Sequence, residues 1–400
     1  MFVKIKKILR KCVDVLWKLF GRRYRYVNIF SYTANHSEAA LLQDGAETTV
    51  YSHPRHFERL TENTNCDIQN SSTIYDWLAR ITNAKCFPYS DLIITSDKKA
   101  IYDIKNYKQF AQYANYEDGV IWRDRDTYCK IRYLRTIDVE KGFFLGGLYA
   151  HNYYHFMTQI VPKFKYIAQI PSNVPLLLPS HCDGDNNFHQ IIEMLMATYS
   201  SDRQILYMRR NRAYRVKELY LSSAQSLLLP DIKDNSLGLK AEWCSYKRSA
   251  IDYVRSALLP MREKAGSYPK KIYILRRSTN GLRQYNEKEI SEKLQTKGFT
   301  PIAPEEYTIC EQIALFHSAD YIIASSGAAL TNLMFCHTGC KLIIINSFIQ
   351  DGGVYNTLAD IMQVENLTVN AMGSGTDIHQ SFTLDPQHLL SAMQELKMIE

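Results

Sequence analysis

Residues Lys271–Phe299 read KIYILRRSTNGLRQYNEKEISEKLQTKGF, and residues Glu305–Ser347 read EEYTICEQIALFHSADYIIASSGAALTNLMFCHTGCKLIIINS. The apolar period switches repeatedly between two and 3.6, which predicts strands alternating with helices. Strands are expected at Ile272–Leu275, Phe299–Ala303, Tyr321–Ala324 and Leu342–Ile345. Between them, Asn286–Lys297 reads as a helix, with a capping box from Asn286 to Glu289 and a staple from Tyr285 to Ile290. Gly298 stops that helix. Thr308 and Glu311 cap a second helix ending near His317, and Ala328–Phe335 reads as a third. Alternation at this spacing predicts a parallel sheet covered by helices, a doubly wound domain of the nucleotide-binding type.

Two features of the stretch carry chemistry. Ser325-Ser326-Gly327-Ala328-Ala329 joins a strand to a helix, and its small residues let a ligand approach backbone amides that favour a phosphate. Small residues also suit any strand–helix turn, so this reading stays open on its own. Arg276 and Arg277 end the first strand, and Arg283 follows in the loop. Ligands of open sheets bind outside the carboxyl ends of strands. Guanidinium forks there match the oxygens of a diphosphate; a solvated basic loop is the alternative.

The residues Arg276, Arg277, Arg283, Asn286, Glu287, Gly298, Phe299, Pro304, Glu305, Glu306, Glu311, Gln312, Ala319, Asp320 and Gly327–Asn332 stand in one order. In that order they resemble family 61 of the glycosyltransferases, over roughly Phe143–Gln363. The resemblance implies an α/β GT-B fold, two Rossmann-like domains with an interdomain cleft, and inverting, metal-independent transfer without a cofactor. It implies that Arg276, Arg277, Arg283, Glu305, Glu306, Ser326, Gly327, Ala328, Ala329 and Asn332 hold a nucleotide-sugar, expected to be uridine-linked.

Further upstream, Tyr149–Pro162 reads YAHNYYHFMTQIVP after a strand that ends in Gly146-Gly147. On a helix His151, His155 and Gln159 share one face. Such a pair of imidazoles suits structural packing, proton transfer or a zinc ion. Without a glutamate after the first histidine the metalloprotease pattern fails. Asn152, Tyr154, His155 and Pro162 again resemble family 61, which implies an acceptor side formed by Asn152, Tyr154 and Gln159. His155 is then the expected base, with His151 second. The chain departs from the family where Gln159 replaces a frequent acid, Ser326 a frequent histidine and Asn346 a frequent acid. A non-catalytic nucleotide- or glycan-binding relative is the alternative function.

The charge is localised. The chain nets +7, but residues 1–25 hold nine lysines and arginines against Asp14 alone, leaving the remainder near neutral. That excludes a nucleic-acid-binding body and predicts a segment drawn to anionic lipid. Ile5, Ile8, Leu9, Cys12, Leu16 and Phe20 recur at helical spacing; a basic helix packed on the protein itself is the alternative. No apolar run of about 20 residues is present to span a bilayer. The nine cysteines lack CxxC pairs, which fits a reducing compartment. Asp124 and Asp126, and Asp183 and Asp185, match a D-x-D metal pattern common in loops, and Cys336-His337…Cys340 lacks the spacing for a four-ligand site.

These readings predict a basic membrane-surface segment over 1–26, an acceptor-side domain over 27–240 and a linker helix within 241–268. A nucleotide-sugar domain follows over 269–385, and a final helix over 386–400 returns toward the first domain. The expected activity moves a sugar from a nucleotide-sugar to a hydroxyl of a growing surface polysaccharide or glycolipid, of the capsule or lipopolysaccharide kind. The expected location is cytoplasmic and peripheral, on the inner membrane face.

Overall fold

A computed structural model describes residues 15–16, 19–62, 65–101, 121–123, 128–131, 135–228, 240–277, 283–350, 352–371 and 380–400. The first strands in chain order are β1 (Arg23–Val27), β2 (Ala39–Gln43), β3 (Ala46–Tyr51), β4 (Gln69–Tyr75), β5 (Leu78–Phe87), β6 (Ser90–Ile94) and β7 (Lys99–Ile101). Next come β8 (Ile121–Arg123), β9 (Tyr128–Ile131), β10 (Arg135–Phe144), β11 (Leu176–Pro179), β12 (Ile205–Met208) and β13 (Arg212–Ser222). The last are β14 (Ser226–Leu228), β15 (Cys244–Tyr246), β16 (Lys271–Ile274), β17 (Thr300–Ile302), β18 (Tyr321–Ser325), β19 (Lys341–Asn346) and β20 (Glu365–Asn370). The fold is mixed α/β.

Two compact units form. The first holds the described residues of Met1–Glu47 and Ile74–Gln225; the second holds those of Thr48–Thr73, Ser226–Leu228 and Asn235–Glu400. In the first, one sheet runs β12-β11-β10-β13-β5-β6-β7-β1-β9-β8, with β2 also on β5. The run β12-β11-β10-β13 is parallel, as is the pair β7-β1, while the other pairings are antiparallel. Helical segments between Tyr153 and Gln169 and at Asn187–Thr198 make its crossovers, but residues 209–211 alone join β12 to β13. Pro88-Tyr89 links β5 to β6 as a hairpin, because so short a link cannot carry a crossover. The expected Rossmann-like first domain is therefore a short parallel set inside a larger mixed sheet.

The second unit carries the stretch that opened the sequence reading. Its five-stranded sheet is parallel throughout, in the order β17-β16-β18-β19-β20. Tyr273, Ile323, Ile343, Ile345, Leu367 and Val369 pack on the helices Glu287–Gln295 and Pro386–Glu395. Their neighbours Ile272, Ile322 and Leu342 point the other way and are equally buried. Both faces are covered, which is why these strands read as continuous apolar runs. Strand order reverses between β16 and β18, the place where a doubly wound sheet opens a crevice at its carboxyl edge.

Several expected bounds move. Residues 48–73 leave the first domain: Thr368 N–H donates to Arg55 O at 2.8 Å and Ser52 N–H to Thr357 Oγ1 at 2.9 Å. The linker helix, observed at Arg248–Leu258, packs within the second unit, where Arg255 Nη1 donates to Met334 O at 2.5 Å. The last helix, Pro386–Glu395, covers the sheet of the second unit instead of returning to the first. The basic segment stops short of residue 26, because Arg23–Val27 pairs parallel with β7 and antiparallel with β9.

The capping box of Thr308 and Glu311 forms as expected, whereas Asn286 makes no side-chain cap. Its Nδ2 donates to Leu384 O and its Oδ1 accepts from Leu384 N–H, both at 2.9 Å. Tyr285 stacks on Phe382, with ring centroids 4.9 Å apart. Asn286 thus fastens the chain ahead of the last helix. Asn286→Ala removes both bonds, and a third from Nδ2 to Glu289 Oε2 at 2.7 Å, and strands a backbone pair, so it should cost about 2 kcal/mol in a denaturant melt. Thr308→Ala should cost about 1 kcal/mol. A smaller loss at Asn286 than at Thr308 would contradict this fastening role.

Candidate functional site

The carboxyl edge of the second unit's sheet gathers the arginines. Arg276 follows β16, and its Nη1 donates to the carbonyl of Ser326, just past β18, at 2.7 Å. Arg283, at φ +57°, donates from Nη1 to the same carbonyl at 3.3 Å. A Cβ on Gly327 would lie 2.7 Å from Arg276 Nη1, so any other residue there would push that guanidinium out of its present position. The helix that follows, Ala328–Phe335, is of the 3-10 type, and Leu330 N–H bonds Gly327 O at 3.0 Å. Its first amides, of Ala328 and Ala329, have no intrahelical acceptor.

Arg276 is held from behind. Its backbone N–H donates to Glu287 Oε1 at 2.5 Å, and that carboxylate also accepts from Tyr285 OH at 3.2 Å. Burial lowers the pKa of the guanidinium, opposed by the nearby Tyr355, Tyr285 and Glu287. Arg276 Nε is buried without a hydrogen-bond partner. Two cations on one carbonyl beside helix-start amides without intrahelical acceptors form a cationic edge suited to an anion with several oxygens.

Other expected site residues have different tasks. Arg277 is exposed and ion-pairs with Glu306, while Glu305 is exposed beside it. Asn332 is fully buried and donates to Gln312 Oε1 at 3.1 Å; Gln312 in turn donates to Pro304 O at 2.8 Å. With no surface of its own, Asn332 fixes the turn that bears Glu305 and Glu306, which corrects its expected ligand contact.

In the first unit, Asn152 caps a single helical turn, accepting from Tyr154 N–H at 2.9 Å. Phe156–Ile160 then widens to a π turn, and the 3-10 segment Val161–Gln169 follows with Pro162 near its start. Proline has no amide to continue the ladder, which accounts for the irregular path. His151 lies in the turn before the helix and is exposed, so only His155 and Gln159 share a face. Tyr154 is buried edge-on to the His155 ring and packs, instead of facing an acceptor.

His155 is 6% exposed, and its Nδ1 lies 3.3 Å from Gln159 Oε1. An amide oxygen only accepts, so Nδ1 carries the proton and Nε2 keeps its lone pair. Burial pushes the imidazole pKa down to about 4; the Gln159 contact opposes this and His151 adds to it. His181, which the sequence reading missed, joins the same aromatic cluster: Tyr89 OH lies 3.2 Å from its Nδ1. Its pKa is also lowered to about 4, by burial first and then by His151. Tyr149, in the left-handed region at φ +54°, sets its ring 5.2 Å from His155. The only signal for His181 was its place two residues before the Asp183-Gly184-Asp185 triplet, which drew attention to itself.

Asp183 and Asp185 sit on an exposed loop, and Asp124 and Asp126 lie outside the described residues. Among the described residues, no group of three His, Cys, Asp or Glu side chains is placed to hold a metal ion. No helix among them is long and apolar enough to cross a membrane.

The sequence model of the family described as Glycosyltransferase 61 matches residues 153–343, which supports a family 61 glycosyltransferase. Such a protein implies a sugar donor and an acceptor. The matched span includes His155, Gln159, the three arginines and the Ser326–Ala329 turn; His151 and Asn152 precede it. No curated protein matches the chain.

The buried histidines set an acid limit on stability. Each binds a proton more readily unfolded, near pH 6.5, than folded, near pH 4. Their contribution is complete above about pH 6.5 and is lost as pH falls toward 4, because the unfolded chain then holds more protons. Melting temperature should drop through that window, with uptake of about two protons on unfolding. His181→Phe should flatten the slope, and an unchanged slope in this variant would refute the assignment.

Proposed function

We propose that the protein is an inverting, metal-independent glycosyltransferase of the GT-B type, taking its sugar from a uridine diphosphate sugar. The observation that carries this is the convergence of Arg276 and Arg283 on the Ser326 carbonyl at the strand-order reversal. There the guanidiniums and the amides after Gly327 neutralise the departing diphosphate, the task a divalent cation performs in other transferases. Arg277, Glu305 and Glu306 border the same edge and take the ribose or base.

The acceptor hydroxyl belongs to the histidine cluster of the first unit. His155 Nε2 removes its proton as the hydroxyl oxygen bonds the anomeric carbon. The bond from that carbon to the diphosphate breaks on the opposite face, and the configuration inverts. Deprotonated down to about pH 4, His155 stays ready as a base across neutral pH, with little driving force. Gln159 Oε1 accepts a hydrogen bond from Nδ1–H and orients the ring, which a carboxylate would do while also raising the pKa. A second reading, binding of nucleotide or glycan without turnover, is favoured by that low basicity.

Residues Val15, Leu16, Leu19 and Phe20 are 53% to 82% exposed, next to the basic run. We assign them to the surface of an anionic membrane, on its cytoplasmic side, which suits a lipid-linked acceptor of a capsule or lipopolysaccharide pathway.

The function is tested by release of UDP from a panel of UDP-sugars in EDTA. Arg276→Ala should weaken UDP binding and slow turnover, about 2–4 kcal/mol in total. His155→Ala should leave UDP binding intact and slow turnover about 10²–10⁴-fold. Gln159→Glu should move the acid limb of the rate profile upward from about pH 4. UDP binding with no turnover under any condition would select the second reading, and rescue by Mn²⁺ alone would refute metal independence. For the membrane, removing residues 1–20 spares β1 and should abolish sedimentation with phosphatidylserine vesicles. Undiminished sedimentation would remove the anchor.

A further inference from the structure

The register of the second unit's sheet lines up four polar positions. Ile274, Ala324, Ile344 and Thr368 are successive partners across β16, β18, β19 and β20. Two residues further along each chain stand Arg276, Ser326, Asn346 and Asn370, a row along the carboxyl edge that begins at the cationic site. Asn346 and Asn370 are still within their strands, so period two puts them on the same side as Ile344 and Thr368, while Arg276 and Ser326 follow just past the ends of theirs. Neighbouring strands lie about 4.8 Å apart, so about 10 Å separates Arg276 from Asn346. That span fits a phosphate and the sugar attached to it.

The far half of the row is unsatisfied. Asn346 is 6% exposed and Asn370 is 2% exposed, and the Oδ1 of each is buried without a hydrogen-bond partner. The orientation of Asn370 is determined, because its Nδ2 donates to Glu58 Oε2 at 2.7 Å and meets His56 Nδ1 at 2.8 Å. His388 backs Glu58 at 2.8 Å, so this polar support is itself braced. Backbone bonds account for the rest of the pair: Ala371 N–H donates to Asn346 O at 2.9 Å. A buried acceptor without a donor costs about 1–3 kcal/mol, and two side by side are rarely retained without a use.

We infer that Asn346 and Asn370 read hydroxyl groups of the transferred sugar, at the end of the row opposite the Arg276 phosphate site. The inference rests on the nucleotide-sugar reading of that edge and adds what distinguishes one sugar from another. Two adjacent carbonyl oxygens accept from a vicinal pair of hydroxyls, which the transferred sugar offers and the phosphates lack. The ribose also has such a pair, but under the proposed function it lies at the edge formed by Arg277, Glu305 and Glu306. A sugar hydroxyl inserted there supplies the missing donors, so binding relieves a cost the protein otherwise carries. Asn346 is thereby a specificity residue, while Glu58 and His56 position Asn370.

The test compares UDP with UDP-glucose, UDP-galactose, UDP-N-acetylglucosamine and UDP-xylose by calorimetry on the full chain. At least one sugar should bind about tenfold tighter than UDP, the worth of one well-made hydrogen bond. Asn346→Leu should bring that sugar to within about twofold of UDP while leaving UDP itself unchanged. Unchanged UDP binding also reports an intact fold. Asn346→Asp keeps an acceptor and should retain most of the difference. The inference is overturned if the leucine variant keeps the sugar preference, if UDP weakens equally, or if no sugar improves on UDP. Failure of UDP to bind the native chain would instead take down the nucleotide reading first. If UDP binds and Arg276→Ala abolishes it, the sugar inference alone is at stake.

Discussion

One carbonyl oxygen governs the carboxyl edge of the second unit. Ser326 O accepts from both Arg276 and Arg283, and Gly327 leaves the gap into which the first guanidinium reaches. Ser326 N–H is tied to Ile345 O at 2.9 Å, so the oxygen cannot retreat without disturbing the sheet. Two like charges brought to one acceptor repel each other, and a single neutral oxygen compensates them incompletely. The arrangement is at its best when an anion sits beside both. Glu287 contributes from behind, fixing the backbone of Arg276 without reaching its guanidinium head. A carboxylate on the head would cancel the charge that the site needs.

The first unit solves a different problem. A base must be neutral to accept a proton, and burial keeps His155 and His181 neutral far below physiological pH. The same burial makes His155 a weak base, so the role proposed for it would depend on placement more than on proton affinity. Tyr149 is a bulky residue held at positive φ, and such strain persists only where the surroundings over-determine it. Here Leu148 N–H donates to Asp91 Oδ2 at 3.2 Å, and buried Lys163 donates to Gly146 O at 2.9 Å. The turn before His155 is therefore braced on both sides, which is what the proposed positioning role would need.

What the sequence made legible was local. The four strands and three longer helical segments between Lys271 and Ser347 follow from periodicity, whereas the 3-10 turn Pro304–Glu306 was not expected. The Thr308–Glu311 box needed partners three residues apart. Asn286 carries the same signature and its Nδ2 does meet Glu289 Oε2 at 2.7 Å, yet its remaining bonds go to Leu384, 98 residues away, and no helix-start amide is capped. Distance also hid the row Arg276, Ser326, Asn346 and Asn370, because only strand order makes these residues neighbours. The arginines and the glycine turn were readable because strand ends are where such folds bind ligands. Asn332 was misread because a polar residue in a motif looks the same whether it faces a ligand or Gln312. Segment 48–73 offered no pattern that would assign it to the second unit.

The amino-terminal segment adds a constraint of reach. Only Gly21 and Arg22 separate Phe20, 82% exposed, from Arg23, the first residue of β1. Extended chain spans about 3.5 Å per residue, so Phe20 stays within about 10 Å of the sheet and Leu19 within about 14 Å. Strand β1 pairs with β7 on one side and β9 on the other, which makes it a poor candidate for detachment. A lipid surface holding Leu19 and Phe20 would thus hold the first unit itself close to the headgroups, without a flexible tether. Under the proposed division of roles, that is the unit offering the histidine cluster to the acceptor. A short link therefore favours an acceptor displayed at the membrane over one free in solution.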